Sequence, residues 1–212
     1  MRLAILTAAA LLVTVSTAEA GVLTPVKDET AKVECSDCHM AYPPILLPQA
    51  SWEKIFANLS DHYGDDASLD DATTKHLLDY YVQNSNDIIR AKYEKIYEET
   101  KQLKIKEGKN PRTIRPPGIL RTAIKWASND TPERIQDVPR FRKKHSFGGQ
   151  CGDVIDAVMK RAKITSWAMC SDCHAGMPIN GSSGVLFKFM EKMTDAEKQA
   201  ALSDKERKCL DD

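Results

Sequence analysis

Cys35-Ser36-Asp37-Cys38-His39 and Cys170-Ser171-Asp172-Cys173-His174 repeat one pattern, C-x-x-C-H. The spacing suits covalent attachment of a c-type haem. Two thiols two residues apart can each add to one vinyl group of the same porphyrin. The histidine that follows can then coordinate the iron from one side. A single copy can belong to a zinc or redox site. Two copies, both with Ser-Asp between the cysteines, point to two covalently attached haems. Cys35, Cys38, Cys170 and Cys173 are then the thioether positions, and His39 and His174 the proximal ligands.

Each iron has a second axial position to fill. The chain has five histidines, which leaves His62, His76 and His145. His62 follows Leu59 by three residues and Ile55 by seven, so it continues an apolar stripe of Trp52, Ile55, Phe56 and Leu59. That stripe predicts a helix from Ser51, with Ser51 as its N-cap. His76 lies opposite the Leu77, Leu78, Tyr81 and Val82 face of a helix expected to start at Ser68, and should point to water. His145 closes the run Arg140-Phe141-Arg142-Lys143-Lys144 and precedes Ser146-Phe147-Gly148-Gly149. A glycine pair beside an aromatic suits a loop lying against a flat cofactor. His62 and His145 are therefore the preferred distal ligands, His145 chiefly by elimination. Methionine is the competitor. Met40 and Met177 lie too near their own motifs, whereas Met190 and Met193 offer a Met/His alternative at the second haem, against a plain core-packing role.

The elements that must position these residues read as mostly α. Two small helical lobes, each wrapped round one c-type haem, suit the wide gap between the motifs: 21–112 and 113–212, with the boundary near Pro111 to Gly118. A long helix is expected from Asp87 to Lys106, ended by Gly108. Regular structure should weaken between Lys109 and Pro139, where proline turn signals cluster. A further helix should start near Gly149, with Cys151, Val154, Ile155, Val158, Met159 and Ala162 on its buried side. Thr194-Asp195-Ala196-Glu197 fits a capping box. No strand pattern is evident.

The compartment agrees with haem attachment. Met1-Arg2, an apolar run from Leu3 to Thr17, and Ala18-Glu19-Ala20 read as a signal peptide over 1–20, cleaved after Ala20. The run is short of the about 20 residues a membrane span takes. The expectation is a periplasmic protein with no transmembrane segment after cleavage. Thirty basic and 30 acidic residues balance to zero formal charge, and nothing suggests nucleic-acid binding.

Cys35 to Trp52, Leu59 to Leu69 (with His62) and Thr131 to His145 together resemble the bacterial periplasmic dihaem cytochrome c family. The resemblance covers nearly the whole mature chain. It implies two bis-histidine haems, with His62 and His145 distal, and an electron-transfer role. Some relatives work beside a small oxygen-binding haem protein, which the resemblance offers as a redox partner; a membrane quinol oxidoreductase is another. The lysine-rich Lys101 to Pro111 and the residues Cys151 and Cys209 depart from the family pattern. Those two cysteines are an even remainder in an oxidising compartment, and either a disulfide or two thiols fits them. The basic runs Lys101 to Lys109 and Arg140 to Lys144 could dock an acidic partner or form solvated faces; Arg140 or Arg142 could instead meet a haem propionate.

With two protein ligands on each iron no position is left for substrate, so an electron carrier is expected rather than an enzyme. The competing reading is a peroxidase-like dihaem enzyme, or a gas-binding cytochrome, with one open iron.

Overall fold

Among the described residues the chain is helical and turn-linked, with no strand and an isolated bridge between His62 and Asp65. The computed structural model describes residues 23–146, 151–167, 169–175, 187–190 and 192–211. The predicted signal peptide, Met177 and the Gly148-Gly149 pair lie outside these residues.

Helix α1 (Glu29–Glu34) leads into the first haem motif. The Asp28 carboxylate caps it by accepting from the Ala31 N–H at 2.9 Å. Helix α2 (Gln49–Ala57) begins two residues before Ser51, so Ser51 is not its cap. The Gln49 N–H is met instead by the Asp87 carboxylate at 2.9 Å, from the start of a later helix. Ser51 is fully buried, and its hydroxyl makes no hydrogen bond. Helix α3 (Asp71–Gln83) starts after Asp70 rather than at Ser68. Asp70 accepts from the Thr73 N–H at 3.0 Å, and its charge suits a helix N-terminus. The Ser68 N–H is already taken by Asp66.

Helix α4 (Asn86–Lys106) matches the expected long helix, and Gly108 follows it with φ +81°. Helix α5 (Gly118–Trp126) lies in the stretch expected to be irregular. The prolines before it start the helix rather than prevent it, and Leu120 and Ala123 are buried against α4. Buried Asn86 ties this layer together. Its amide donates to the Ala123 carbonyl at 2.8 Å and to the Ile45 carbonyl at 3.2 Å.

Helix α6 (Pro139–His145) carries His145 in its last turn. Pro139 sits in the first turn, where its missing N–H costs nothing. Helix α7 (Gly152–Arg161) buries Ile155 and Val158. Helix α8 (Cys170–Cys173) holds the second motif. Helices α9 (Asp195–Ala201) and α10 (Asp204–Asp211) close the described chain, and the Thr194–Glu197 capping box is present on α9.

The buried side chains form two clusters. The larger gathers Trp52, Leu77, Tyr81, Ile89, Ala123 and Phe141, among others. Ala123 and Phe141 thus follow the boundary expected near residue 112 yet pack with residues before it. The smaller holds Val158, Ile164, Phe187, Met190 and Leu202. A Cys151–Cys209 disulfide joins α7 to α10, with Cα atoms 5.5 Å apart. Arg161 adds an ion pair to Glu206 at 3.0 Å and a bond to the Ala201 carbonyl at 3.3 Å.

Candidate haem sites

The first site is built by α1, the loop after it and a tight turn following α2. Cys35 ends α1, so Cys35, Cys38 and His39 hang from one short segment. The His39 Nδ1–H donates to the Met40 carbonyl at 2.8 Å. A carbonyl can only accept, so Nδ1 carries the proton and Nε2 keeps a lone pair for a metal.

His62 does not continue the α2 helix as the apolar stripe predicts. α2 ends at Ala57, and Asn58 breaks it, its amide bonding the Asp61 carbonyl at 3.1 Å. His62 instead opens a two-residue hairpin. Its N–H donates to the Asp65 carbonyl at 2.8 Å, and Tyr63 (φ +60°) and Gly64 (φ +101°) form the turn. Positive φ at both central positions is the type I′ pattern, and Gly64 supplies one without strain. Tyr63 pays about 1–3 kcal/mol for its backbone. It is held there by its hydroxyl, which donates to the Glu133 carbonyl, and by Arg134 over its ring at 4.7 Å. The outcome is that the His39 and His62 ring centres stand 6.2 Å apart.

At the second site, α8 presents Cys170, Cys173 and His174, and α6 presents His145. The helix, rather than a glycine loop, sets His145. Phe141 lies one turn before it and stacks on the imidazole at 3.9 Å, with planes 13° apart. The His145 Nδ1–H donates to the Phe141 carbonyl at 2.9 Å, which again leaves Nε2 with a lone pair for a metal. Trp167 meets the same ring edge-on at 5.7 Å. The His145 and His174 centres stand 6.1 Å apart.

These two separations test whether a haem iron fits. A metal–imidazole bond is about 2.0 Å long and the ring centre lies about 1.1 Å beyond, so two imidazoles on opposite sides of one iron sit about 6.2 Å apart. Both pairs meet that value. His76 joins neither. It is exposed, as its face predicts, and bonds the Asp28 carboxylate at 2.8 Å. Met190 is buried in the smaller cluster and Met193 packs against it, a core-packing role.

The electrostatics suit neutral groups. Burial pushes the Cys170 and Cys173 thiols up to about 11, and the Cys35 thiol upward too. An uncharged thioether is at home there; a zinc-bound thiolate is not. Among the described residues no three His, Cys, Asp or Glu side chains converge as a metal cage. Burial likewise lowers the His62 and His145 pKa values, and the facing histidine adds to the effect in each. A neutral imidazole is the form that binds iron. Arg142, read as a candidate propionate partner, is exposed and bonds Asp137 at 2.7 Å.

The sequence profile of the family described as dihaem cytochrome c matches residues 31–178, which include both motifs and all four facing histidines. The chain belongs to the dihaem cytochrome c family. Its cofactors are accordingly two c-type haems. Among solved structures, this dihaem cytochrome c is similar to the diheme cytochrome c from Rhodobacter sphaeroides, at 30% identity and a TM-score of 0.48, over 76% of this chain and 98% of that one. It is also similar to a diheme cytochrome type c from Shewanella baltica, at 26% identity and a TM-score of 0.42, over 70% of this chain and 81% of that one. No functionally curated protein matches it.

Two supporting residues of the dihaem cytochrome escaped the sequence reading. Phe141 could have been found, since it lies four residues before His145 on one helix face. Tyr81, whose hydroxyl lies 4.0 Å from the Cys35 sulfur, carries no local signal of that contact.

Proposed function

We propose that this chain is a periplasmic electron carrier in which each iron is held by two histidines, His39 with His62 and His174 with His145. The observation that carries the reading is the ring separation of 6.2 Å in one pair and 6.1 Å in the other. The haems supply the one-electron chemistry, between ferric and ferrous iron. The chain's residues hold and tune. Cys35, Cys38, Cys170 and Cys173 anchor the two groups. The Met40 and Phe141 carbonyls fix the tautomer and orientation of two of the ligands, and the Phe141 ring keeps His145 in plane. With both axial positions taken by protein, no site is left on either iron for a substrate. Two imidazoles favour a potential below that of Met/His cytochromes.

The export-signal pattern at residues 1–20 supports the periplasmic assignment, and no helix among the described residues is long and apolar enough to cross a membrane. The partners are redox proteins, a small oxygen-binding haem protein or a membrane quinol oxidoreductase among them. Exposed Lys143 and Lys144, beside His145 on α6, would steer an acidic partner to the second haem.

The test is the ferric spectrum of the purified holoprotein, followed by carbon monoxide addition to the reduced form. Two low-spin centres without rapid carbon monoxide uptake are expected. A high-spin ferric signal or full uptake at either iron would favour the open-iron enzyme or gas-binding reading.

A further inference from the structure

The two distal histidines are held in different ways. His145 rides on helix α6, where buried Phe141 stacks on its ring and accepts its Nδ1–H, both within one turn. His62 sits in a stretch that faces solvent: Asp61 and every residue from Tyr63 to Ser68 are exposed. A segment of that kind opens at lower cost than a helix packed on the core.

The hold on His62 comes through its neighbour. The Tyr63 hydroxyl donates to the Glu133 carbonyl, 70 residues further on, and the Arg134 guanidinium lies 4.7 Å from the centre of the Tyr63 ring. The receiving segment is itself anchored. Ile135 and Val138 are buried in the larger cluster, and Lys54 of α2 reaches the Glu133 carboxylate at 3.7 Å. A glycine would make the same turn without strain, whereas a tyrosine at φ +60° is kept there by outside contacts. Tyr63, Glu133 and Arg134 are all exposed, so these contacts are weak enough to break and remake.

We propose that His62 is the releasable ligand of the two, and that the contact of Tyr63 with Glu133 and Arg134 is the latch that keeps it on the first iron. This rests on the bis-histidine electron-carrier reading and adds a transient opening. When the latch parts, the hairpin moves away and His62 leaves the iron, which then takes a small neutral diatomic ligand such as carbon monoxide. The iron–nitrogen bond breaks and its electron pair stays on the imidazole. The new bond uses the lone pair of the incoming ligand, and the iron stays ferrous. Tyr63 touches neither iron nor ligand, so it is a positioning residue. The second iron stays closed.

The test mixes the reduced holoprotein with carbon monoxide and follows the ferrous carbonyl with time. His62→Ala and His145→Ala identify the two haems by opening each in turn. The unaltered protein should show slow, partial uptake at the first haem alone. Tyr63→Phe keeps the ring and loses the hydroxyl; it should speed that uptake about fivefold, the worth of one hydrogen bond. Arg134→Ala acts from the other side of the contact and should speed it about threefold. Arg134→Lys, which keeps a cation over the ring, should restore most of the original rate. Tyr63→Gly separates latch from turn: glycine suits the turn better, so a role in the turn alone gives slower uptake, and the latch gives faster. The proposal is overturned if slow uptake falls at the second haem, if Tyr63→Phe and Arg134→Ala leave the rate unchanged, or if Tyr63→Gly slows it. A lowered melting temperature with an unchanged rate marks Tyr63 as packing and overturns it too. Should Tyr63→Gly not fold, Arg134→Ala, at an exposed side chain, still decides. A high-spin ferric signal in the unaltered protein is a separate failure: it sinks the bis-histidine reading itself, whatever the latch variants do.

Discussion

Replacing Cys151 and Cys209 together by serine opens a loop of 58 residues. In the chain-entropy model a crosslink of that span removes about 14 cal/mol/K from the unfolded ensemble, or about 4 kcal/mol at 25 °C. Little in the fold can compensate. The Arg161–Glu206 pair also links α7 to the C-terminal helix, but Arg161 is half exposed, and such a pair is worth about 1 kcal/mol at most. The loop contains the second haem motif and the whole of the smaller cluster, so the loss should fall on that part of the chain. The assay is guanidinium unfolding of the holoprotein, followed by far-UV circular dichroism and by the Soret band. The Soret change reports release of His145, because Cys170 and Cys173 keep the porphyrin attached in either state. With a slope of about 5 kcal/mol/M, the midpoint should fall by about 0.8 M. A reductant should cause the same shift in the unaltered protein and none in the double-serine variant. An unchanged midpoint, or two free thiols in the denatured unreduced protein, would refute the reasoning.

The remaining predictions concern the ligands and two helix starts. His62→Ala and His145→Ala should each turn one of the two haems high-spin and carbon-monoxide-binding while the other stays low-spin, read from the ferric spectrum and the ferrous carbonyl. The imidazole planes lie 34° apart at the first site and 89° apart at the second. Perpendicular planes leave two iron d orbitals nearly degenerate, so the ferric EPR spectrum should hold one rhombic and one far more anisotropic low-spin signal; two identical signals would contradict the geometry. Asp28→Ala should cost about 1 kcal/mol through the lost cap of α1. Partial burial alone would raise the Asp28 pKa, but the Ala31 N–H and the His76 imidazole outweigh it and hold the carboxyl below its ordinary value. Its stabilisation is thus present above about pH 4 and fades as pH falls through the lower folded value, which acid titration of the two proteins would register. Ser51→Ala should raise stability by about 0.5–1 kcal/mol in thermal unfolding, because it removes a buried hydroxyl without a partner and improves helix propensity. A loss of that size would show that the hydroxyl is satisfied where it lies.

What could be read from the sequence was what neighbouring residues decide among themselves. Thioether attachment needs two cysteines and a histidine within five positions, so both haems were legible, and the long helix from Asn86 showed in its 3.6-residue period. The Thr194–Glu197 box is local in the same way. Where an element depends on a distant partner, local reading failed. Ser51 looked like a cap because Asp87, which meets the Gln49 N–H, is far along the chain. Helix α5 was hidden because its prolines read as turns, while its buried face has meaning only against α4 and Asn86. His62 was chosen for a helical stripe, yet a hairpin carries it, and Gly64 was the overlooked signal.

The sequence by itself therefore determined the chemistry: two covalent haems, two candidate proximal histidines, and a short set of candidate distal ligands. Only the tertiary structure decided which histidine faces which and that Cys151 reaches Cys209. Bond-forming patterns span a few residues and survive in any conformation. Ring separations and contacts between distant segments come into being only when packing fixes every helix against its neighbours.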